Sequence, residues 1–290
     1  MTDTKTDGAA QLHALADAGR AGLPPDPAND AALSTTLLKG LEILALFSDT
    51  KARFSNAEIA RLLGQNKATV SRLCKTLVHM GYLRKEARGG FMLAPHILSL
   101  SYPLLASTRW RHQLTTPMRE IAQMSGGNCS LCVLSGPLFV QLQDVGNPAG
   151  FPHDPAPGIT GPLHVSSTGR ALLSLMDQDA LAIKLAEIRQ ANPQDFARYA
   201  DDMHKGIQRC RTEGFCVAYG DWRPDIVALS SPLGETQDGL LVTLSLGLPR
   251  FRARAEQIET DLGPRLAQAA NALRLTEIFK PPFFLRPAQG

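Results

Sequence analysis

Leu37, Leu41 and Leu44 recur at helical spacing, with Leu38 and Ala45 beside them and Ser34 or Thr35 in a capping position, which predicts a first helix. SNAEIARLLG predicts a second. Ser55 is the cap, Glu58 follows three residues later as in a capping box, and Ile59, Leu62 and Leu63 form the apolar face, with Gly64 as the stop. A third helix is expected from Asn66 to Met80, where Val70, Leu73, Cys74, Leu77 and Val78 follow the i, i+3, i+4, i+7, i+8 pattern. After Gly81, GYLRKE and GFMLAP read as a β-hairpin turned by ARGG. Pro95 to Trp110 is apolar and predicts a linker helix. From Arg111 the pattern mixes helices and strands. Helices are expected at Gln113–Met124, Ser166–Met176, Asp179–Ile188, Phe196–Thr212 and Ala255–Leu275. Strands are expected at NCSLCVLS, LFVQLQDV, FCVAYG, IVALSSPL and LLVTLSLGL.

These elements predict an α+β chain. It comprises a winged helix-turn-helix of three helices plus a β-hairpin (33–94), the linker helix (95–110), and an α/β sensor-like domain with an antiparallel sheet (111–276). Residues 1–32, with GLPPDPAND, read as a disordered tail, and 277–290 as a C-terminal tail.

A helical projection of the third helix puts Val70, Leu73, Cys74 and Leu77 on one side. Ala68, Arg72, Lys75 and His79 fall opposite, flanked by Gln65, Thr69 and Thr76. A small, polar and basic outer face suits base edges and phosphates in a major groove. Gln65, Lys67, Ala68, Thr69 and Arg72 are expected nearest the bases, with Ser71 counted among the contacts. Lys75 and His79 should touch phosphate. Arg84, Lys85 and Arg88 on the wing should meet the backbone or the minor groove. Ser55 and Asn56 can donate to phosphate from a helix N-terminus.

Charge adds to this picture. The overall charge is only +3, but Lys51 to Gly90 holds nine basic residues against Glu58 and Glu86, a net of +7, which leaves −4 for the rest. A basic block on a mildly acidic chain fits a polyanion-binding domain, although a basic solvated face is an alternative. Cores should be aliphatic, since aromatic content is 6%. No run reaches the roughly 20 apolar residues of a membrane helix. The N-terminus lacks a signal-peptide pattern, so a cytoplasmic location with reduced cysteines is expected.

At this point the sequence resembles the IclR family of bacterial transcriptional regulators. The likeness runs through LLKGLEILALFS, FSNAEIARLLGQNKATVSRLCKTLVHMGYLRKE and GGFMLAP, and resumes at PGITGPLHVSSTGRALLSL, RTEGFCVAYGDW, VALSSPL and LLVTLSLGLPRFR. It spans roughly residues 34–276. The resemblance implies operator DNA, a homodimer or homotetramer, and a small organic acid effector. It maps the effector pocket onto His153, Ser167, Thr168, Ile226, Ala228, Ser245 and Gly247. Ser167 and Thr168 open a helix, where free N–H groups and the dipole favour a carboxylate. Alanine stands at Ala218 and Ala228 where some relatives carry polar groups, and Gly247 replaces a hydroxyl. This points to a larger or aromatic acid, with Arg223 or His153 as a source of positive charge.

Other chemistry is weakly signalled. Cys129 and Cys132 form a CxxC, but in a strand positions three apart face opposite ways. There is no HExxH, GxSxG, GxGxxG or Walker A pattern, and neither cofactor, metal nor catalytic residues are expected. The competing readings are an enzyme with an attached helical module, and a sensor whose winged helix binds a protein.

Overall fold

The computed structural model describes residues 33–48, 51–146 and 156–280. The expected tail at 1–32, His153 and the last ten residues therefore lie outside the described chain. The chain divides into two compact units between Thr108 and Arg109.

In the first unit, α1 (Thr35–Ala45), α2 (Asn56–Leu62) and α3 (Lys67–His79) precede a wing of β1 (Leu83–Lys85) and β2 (Phe91–Leu93). Capping is local and strong. Ser34, Ser55 and Asn66 each accept a bond from a first-turn backbone N–H, and Ser55 and Glu58 form the reciprocal capping box. The Lys51 ammonium, with help from Ser55, holds the Glu58 carboxyl down to about 2. Ile43, Phe54, Ile59, Leu63, Val70, Cys74 and Leu83 make the core. The α1 stripe differs from expectation. Leu37 and Leu41 are exposed, at 63% and 50%, and Ile43 is the buried residue. Leucine occupies more of this helix's circumference than three-helix packing can cover, so a second apolar face stays open.

Phe54 exchanges both backbone hydrogen bonds with Phe91, at 3.1 and 2.8 Å, adding a one-residue bridge to the hairpin. Gly90 permits it. Its φ is 95°, and a Cβ there would lie 2.8 Å from the Phe54 carbonyl oxygen. The linker reads as a 3-10 turn (Pro95–Ile97) followed by α4 (Leu98–Ser107), in which no residue is buried.

The second unit holds α5 (Thr115–Ser125), β3 (Asn128–Ser135), β4 (Leu138–Val145), β5 (Thr160–Pro162), α6 (Ser167–Ser174), α7 (Gln178–Ala191) and α8 (Pro193–Glu213). It continues with β6 (Cys216–Ala218), β7 (Ile226–Glu235), β8 (Leu241–Pro249) and α9 (Gly263–Arg274). The strands form one antiparallel sheet in the order β5-β4-β3-β8-β7-β6. One face meets α5 and α9 through Met118, Ile121, Leu131, Leu244, Leu246 and Leu266. The other meets α6 to α8 through Cys132, Phe139, Leu163, Leu172, Phe196 and Met203.

Three expectations are corrected here. The single helix at Ala255–Leu275 is broken by a π turn at Ile258–Leu262 before α9 begins. The short edge strand β5 was not foreseen, because ITGPL is too short and too rich in Gly and Pro to show alternation. Ile278 and Phe279 are buried, and Phe279 bridges Thr236, so the packed chain continues to Lys280 beyond the boundary expected at 276. An apolar pair after the last helix reads as a tail only while its docking surface is unknown.

The seven positions of α6 from Ser167 to Leu173 are all buried, because two glycines bring its neighbours close. A Cβ at Gly169 would lie 2.2 Å from both Cα and O of Leu163, and one at Gly206 of α8 would lie 2.6 Å from the Arg170 side chain. Gly169→Ala is therefore expected to lower stability by about 1–3 kcal/mol through forced overpacking. Thermal unfolding followed by tryptophan fluorescence reads this unit, which contains both Trp110 and Trp222. An unchanged melting temperature would contradict such close contact.

Candidate DNA interface and ligand site

The third helix presents two chemically distinct sides. Val70, Leu73 and Cys74 are buried, while Lys67, Ala68, Arg72, Lys75 and His79 are exposed on the opposite side. Thr69 and Ser71 are half-buried at its flanks, and Gln65 is half-buried in the turn, where its Nε2 donates to the Leu63 carbonyl at 3.4 Å. Lys67, Arg72 and Lys75 form no ion pair among the described residues, so their charge is available to an external anion.

Ser55 and Asn56 have partners inside the domain, which differs from a purely external role. The Ser55 hydroxyl donates to Glu58 Oε2 at 2.7 Å, and its backbone N–H donates to the same oxygen at 2.8 Å. Asn56 Nδ2 donates to the Lys67 carbonyl at 3.0 Å, linking the start of α2 to the start of α3. Asn56 thus positions the first residue of the exposed helix. Asn66, the cap of α3, accepts from Thr69 N at 2.7 Å and sets that helix's first turn. On the wing, Arg84, Lys85 and Arg88 are all exposed. Arg84 pairs with Glu86, leaving Lys85 and Arg88 as the wing's uncompensated charges among the described residues.

In the second unit, four buried hydroxyls converge where α6 meets the sheet. Ser167 Oγ lies 2.9 Å from Ser230 Oγ, Thr168 Oγ1 lies 2.9 Å from Ser245 Oγ, and the two strand serines lie 2.8 Å apart. Thr168 also approaches Ser230 at 3.4 Å, closing the cluster. Register explains the meeting, since Ser230 of β7 pairs with Ser245 of β8. Ser166 caps α6 and satisfies the N–H of Gly169, while the N–H groups of Ser167 and Thr168 have no intrahelical acceptor by geometry. Four rotatable hydroxyls, two at the start of α6 and two on the facing strands, therefore form one closed cluster. Hydroxyls that bond each other can turn their protons toward an anion without moving a heavy atom.

The sequence-derived residues Ser167, Thr168 and Ser245 belong to this cluster. Ala228 and Gly247 pair with each other in the next row of the same face, and Ile226 lies one row beyond. All three are half-exposed, so this row forms an open floor beside the closed cluster. Ser230 was missed. The signal was available, because it continues the period-two series Ile226, Ala228, but IVALSSPL is buried on both faces and alternation does not single it out.

Arg170 was also missed. It is 3% exposed, and its guanidinium pairs with Asp221 at 2.8 Å and donates to the carbonyls of Val217 and His164. This ties α6 to the segment after β6. Arg223 lies over the Trp222 ring, 5.3 Å from its centroid. His164 is buried, and burial pushes its imidazole pKa down, favouring the neutral ring.

Cys129 and Cys132 do not form a reactive pair. Cys129 and Cys132 pack into the cores on opposite faces of the sheet, and burial pushes both thiols up. A low-pKa exposed thiolate is what nucleophilic or redox work requires. Among the described residues no three His, Cys, Asp or Glu side chains come together to hold a metal. No helix among them is long and apolar enough to cross a membrane.

The comparisons agree with this geometry. Residues 36–87 match the IclR helix-turn-helix domain, and residues 104–275 match the C-terminal domain of bacterial IclR transcriptional regulators. The Pca regulon regulatory protein of Pseudomonas putida is 23% identical over 254 residues, 84% of each chain. The crystal structure of an IclR family transcriptional regulator from Brucella abortus has 31% identity and a TM-score of 0.71, covering 85% of this chain and 94% of that one. An IclR homologue from Microbacterium hydrocarbonoxydans, crystallised with 4-hydroxybenzoate, shares the fold at 17% identity and a TM-score of 0.60, covering 83% of this chain and 100% of that one. The chain belongs to the IclR family of bacterial transcriptional regulators, and is a helix-turn-helix DNA-binding protein and not an enzyme.

Proposed function

We propose that this regulator reads operator DNA with α3 and the wing as a cytoplasmic homodimer or homotetramer, and that a small organic acid bound at the α6 hydroxyl cluster controls its DNA affinity. The observation that carries the DNA reading is the exposed face Lys67, Ala68, Arg72, Lys75 and His79, backed by the buried Val70, Leu73 and Cys74. Residues at the start of α3 enter the groove, and Lys75, His79, Lys85 and Arg88 meet phosphate. Ser55 acts mainly by capping α2, and Asn56 by fixing α2 against α3.

The oligomer is supported by open apolar surface in the first unit. Leu37 and Leu41 of α1, and Leu98, Leu100 and Tyr102 of α4, are all exposed. Such surface is costly to leave in water and favours a second copy. A symmetric dimer sets two recognition helices on half-sites about 34 Å apart.

The effector reading rests on the four hydroxyls and the two α6 N–H groups. A carboxylate accepting from them gains charge-assisted bonds of about 1.5–3 kcal/mol each. The half-exposed floor of Ala228 and Gly247 suits a flat apolar body, which supports an aromatic acid, and the 4-hydroxybenzoate complex of the Microbacterium homologue points the same way.

Arg72→Ala is expected to weaken binding to DNA upstream of the protein's own gene by about 1–3 kcal/mol, roughly five- to 150-fold. Mobility shifts measure this, and the wild-type affinity should fall steeply with salt as phosphate contacts release counterions. A flat salt response, or an unaltered Arg72→Ala complex, contradicts the assigned face.

Ser245→Ala is expected to weaken aromatic-acid binding at least about tenfold in calorimetry while leaving effector-free DNA affinity unchanged. Equal acid affinity in the variant would move the carboxylate site elsewhere.

A further inference from the structure

One buried polar side chain on the effector face has no partner. Asn128, the first residue of β3, is 4% exposed, yet among the described residues neither its Nδ2 nor its Oδ1 makes a hydrogen bond. A carboxamide offers two donors and an acceptor with two lone pairs, and leaving such a group buried and unpaired costs about 1–3 kcal/mol. Native chains carry few such groups, and each calls for a cause.

Its surroundings supply one. Asn128, Ser130 and Cys132 alternate with Cys129, Leu131 and Val133, which belong to the opposite core, so Asn128 faces the α6 side of the sheet. By register it stands opposite Gly247, which in turn pairs with Ala228. The row across the sheet therefore runs Asn128, Gly247, Ala228. Space is open there, since a Cβ on Gly247 would meet only Ile226 Cγ2, at 3.9 Å. On the other side is Gly146, against which the carboxamide rests: a Cβ there would lie 3.1 Å from Asn128 Oδ1. The nearest hydroxyl along β3, Ser130, donates to Asp144 at 2.5 Å.

We propose that Asn128 is a specificity-determining residue that hydrogen-bonds a neutral polar group, such as a hydroxyl, at the end of the effector remote from its carboxylate. This rests on the effector reading above. Asn128 is the diagonal neighbour of Ser245 across the β3–β8 pair, a separation of about 7–8 Å between backbones. That is about the span of a six-membered ring carrying a carboxylate at one end and a hydroxyl at the other. The carboxylate takes the donors of α6 and the serine cluster. The ring lies over Gly247 and Ala228. The far hydroxyl reaches the carboxamide, which can donate or accept. A site holding a buried polar group rejects an analogue lacking the matching hydroxyl, because the protein group is then left unpaired.

The test is calorimetric titration of the full-length protein with benzoate, 3-hydroxybenzoate and 4-hydroxybenzoate, in the wild type and in Asn128→Leu and Asn128→Thr. In the wild type at least one hydroxybenzoate should bind about tenfold tighter than benzoate or better. In Asn128→Leu that preference should shrink to about twofold or less with benzoate affinity held or improved, since the orphaned amide is gone. Asn128→Thr, with a shorter polar group, guards against a folding defect in the leucine variant and should also lose most of the preference. Hydroxybenzoate preference unchanged in both variants, or absent in the wild type while benzoate binds, overturns the role of Asn128 and leaves the carboxylate site standing. No saturable binding of any of the three acids by the wild type overturns the aromatic-acid reading itself, and this inference with it.

Discussion

The contact between α6 and the chain just before it governs the second unit. Gly169 lets the helix lie directly on the Leu163 backbone, and Gly206 makes room for the Arg170 side chain. Only at that distance do Ser167 and Thr168 reach the serines of β7 and β8. The α6 helix is short, so burial on all sides holds it more than its own propensity does. Its N-terminal dipole is correspondingly shielded from water, which strengthens its effect on a nearby charge. Arg170 adds a lock from the far side. Burying that guanidinium is tolerable because Asp221 and two carbonyls satisfy it, and removing one partner would leave an uncompensated charge.

The two faces of the sheet differ in chemistry, and the proposed effector site lies on the less apolar one. The face under α5 and α9 is almost wholly aliphatic, and each leucine buried there contributes about 1.5–3 kcal/mol. The face under α6 interrupts its apolar contacts with serines, a threonine and an asparagine. Each hydroxyl bonded to another hydroxyl is worth only about 1 kcal/mol net, and the Asn128 amide is a liability. A core built only for stability would fill this region with valine. Keeping it polar makes sense where a ligand replaces weak internal bonds with charge-assisted ones. A ligand can shift the regulator only by its differential affinity for two states, and weak internal partners enlarge that difference.

Much of this was legible in the sequence, and the misses share a physical cause. Caps at Ser34 and Ser55, the buried face of α3 and the hairpin glycines are local, so neighbours a few residues apart reveal them. Ser167, Thr168 and Ser245 came from resemblance, and register brought them together. Ser230 escaped because a strand buried on both faces hides its period. Arg170 escaped because a lone arginine in a helix looks like a surface residue until Asp221, 51 positions away, is brought beside it. Leu37 and Leu41 show the opposite error. The helical stripe is real, but periodicity does not say whether its cover is the same chain or another.

The absence of a cation in the hydroxyl cluster also has a consequence. Among the described residues the four hydroxyls bond one another and backbone oxygens, and the nearby Arg170 is engaged by Asp221. A carboxylate held by neutral donors and a helix terminus is stabilised less than one paired with a buried arginine. It also leaves no uncompensated charge when it departs. At the proposed effector site the hydroxyls can turn their protons back to one another once a carboxylate leaves. A sensor needs this balance. Binding must be strong enough to bias the conformational equilibrium and weak enough to follow the ligand's concentration. Specificity then has to come from elsewhere on the ligand, from shape over Gly247 and Ala228 and from polar groups that the donors of α6 do not reach.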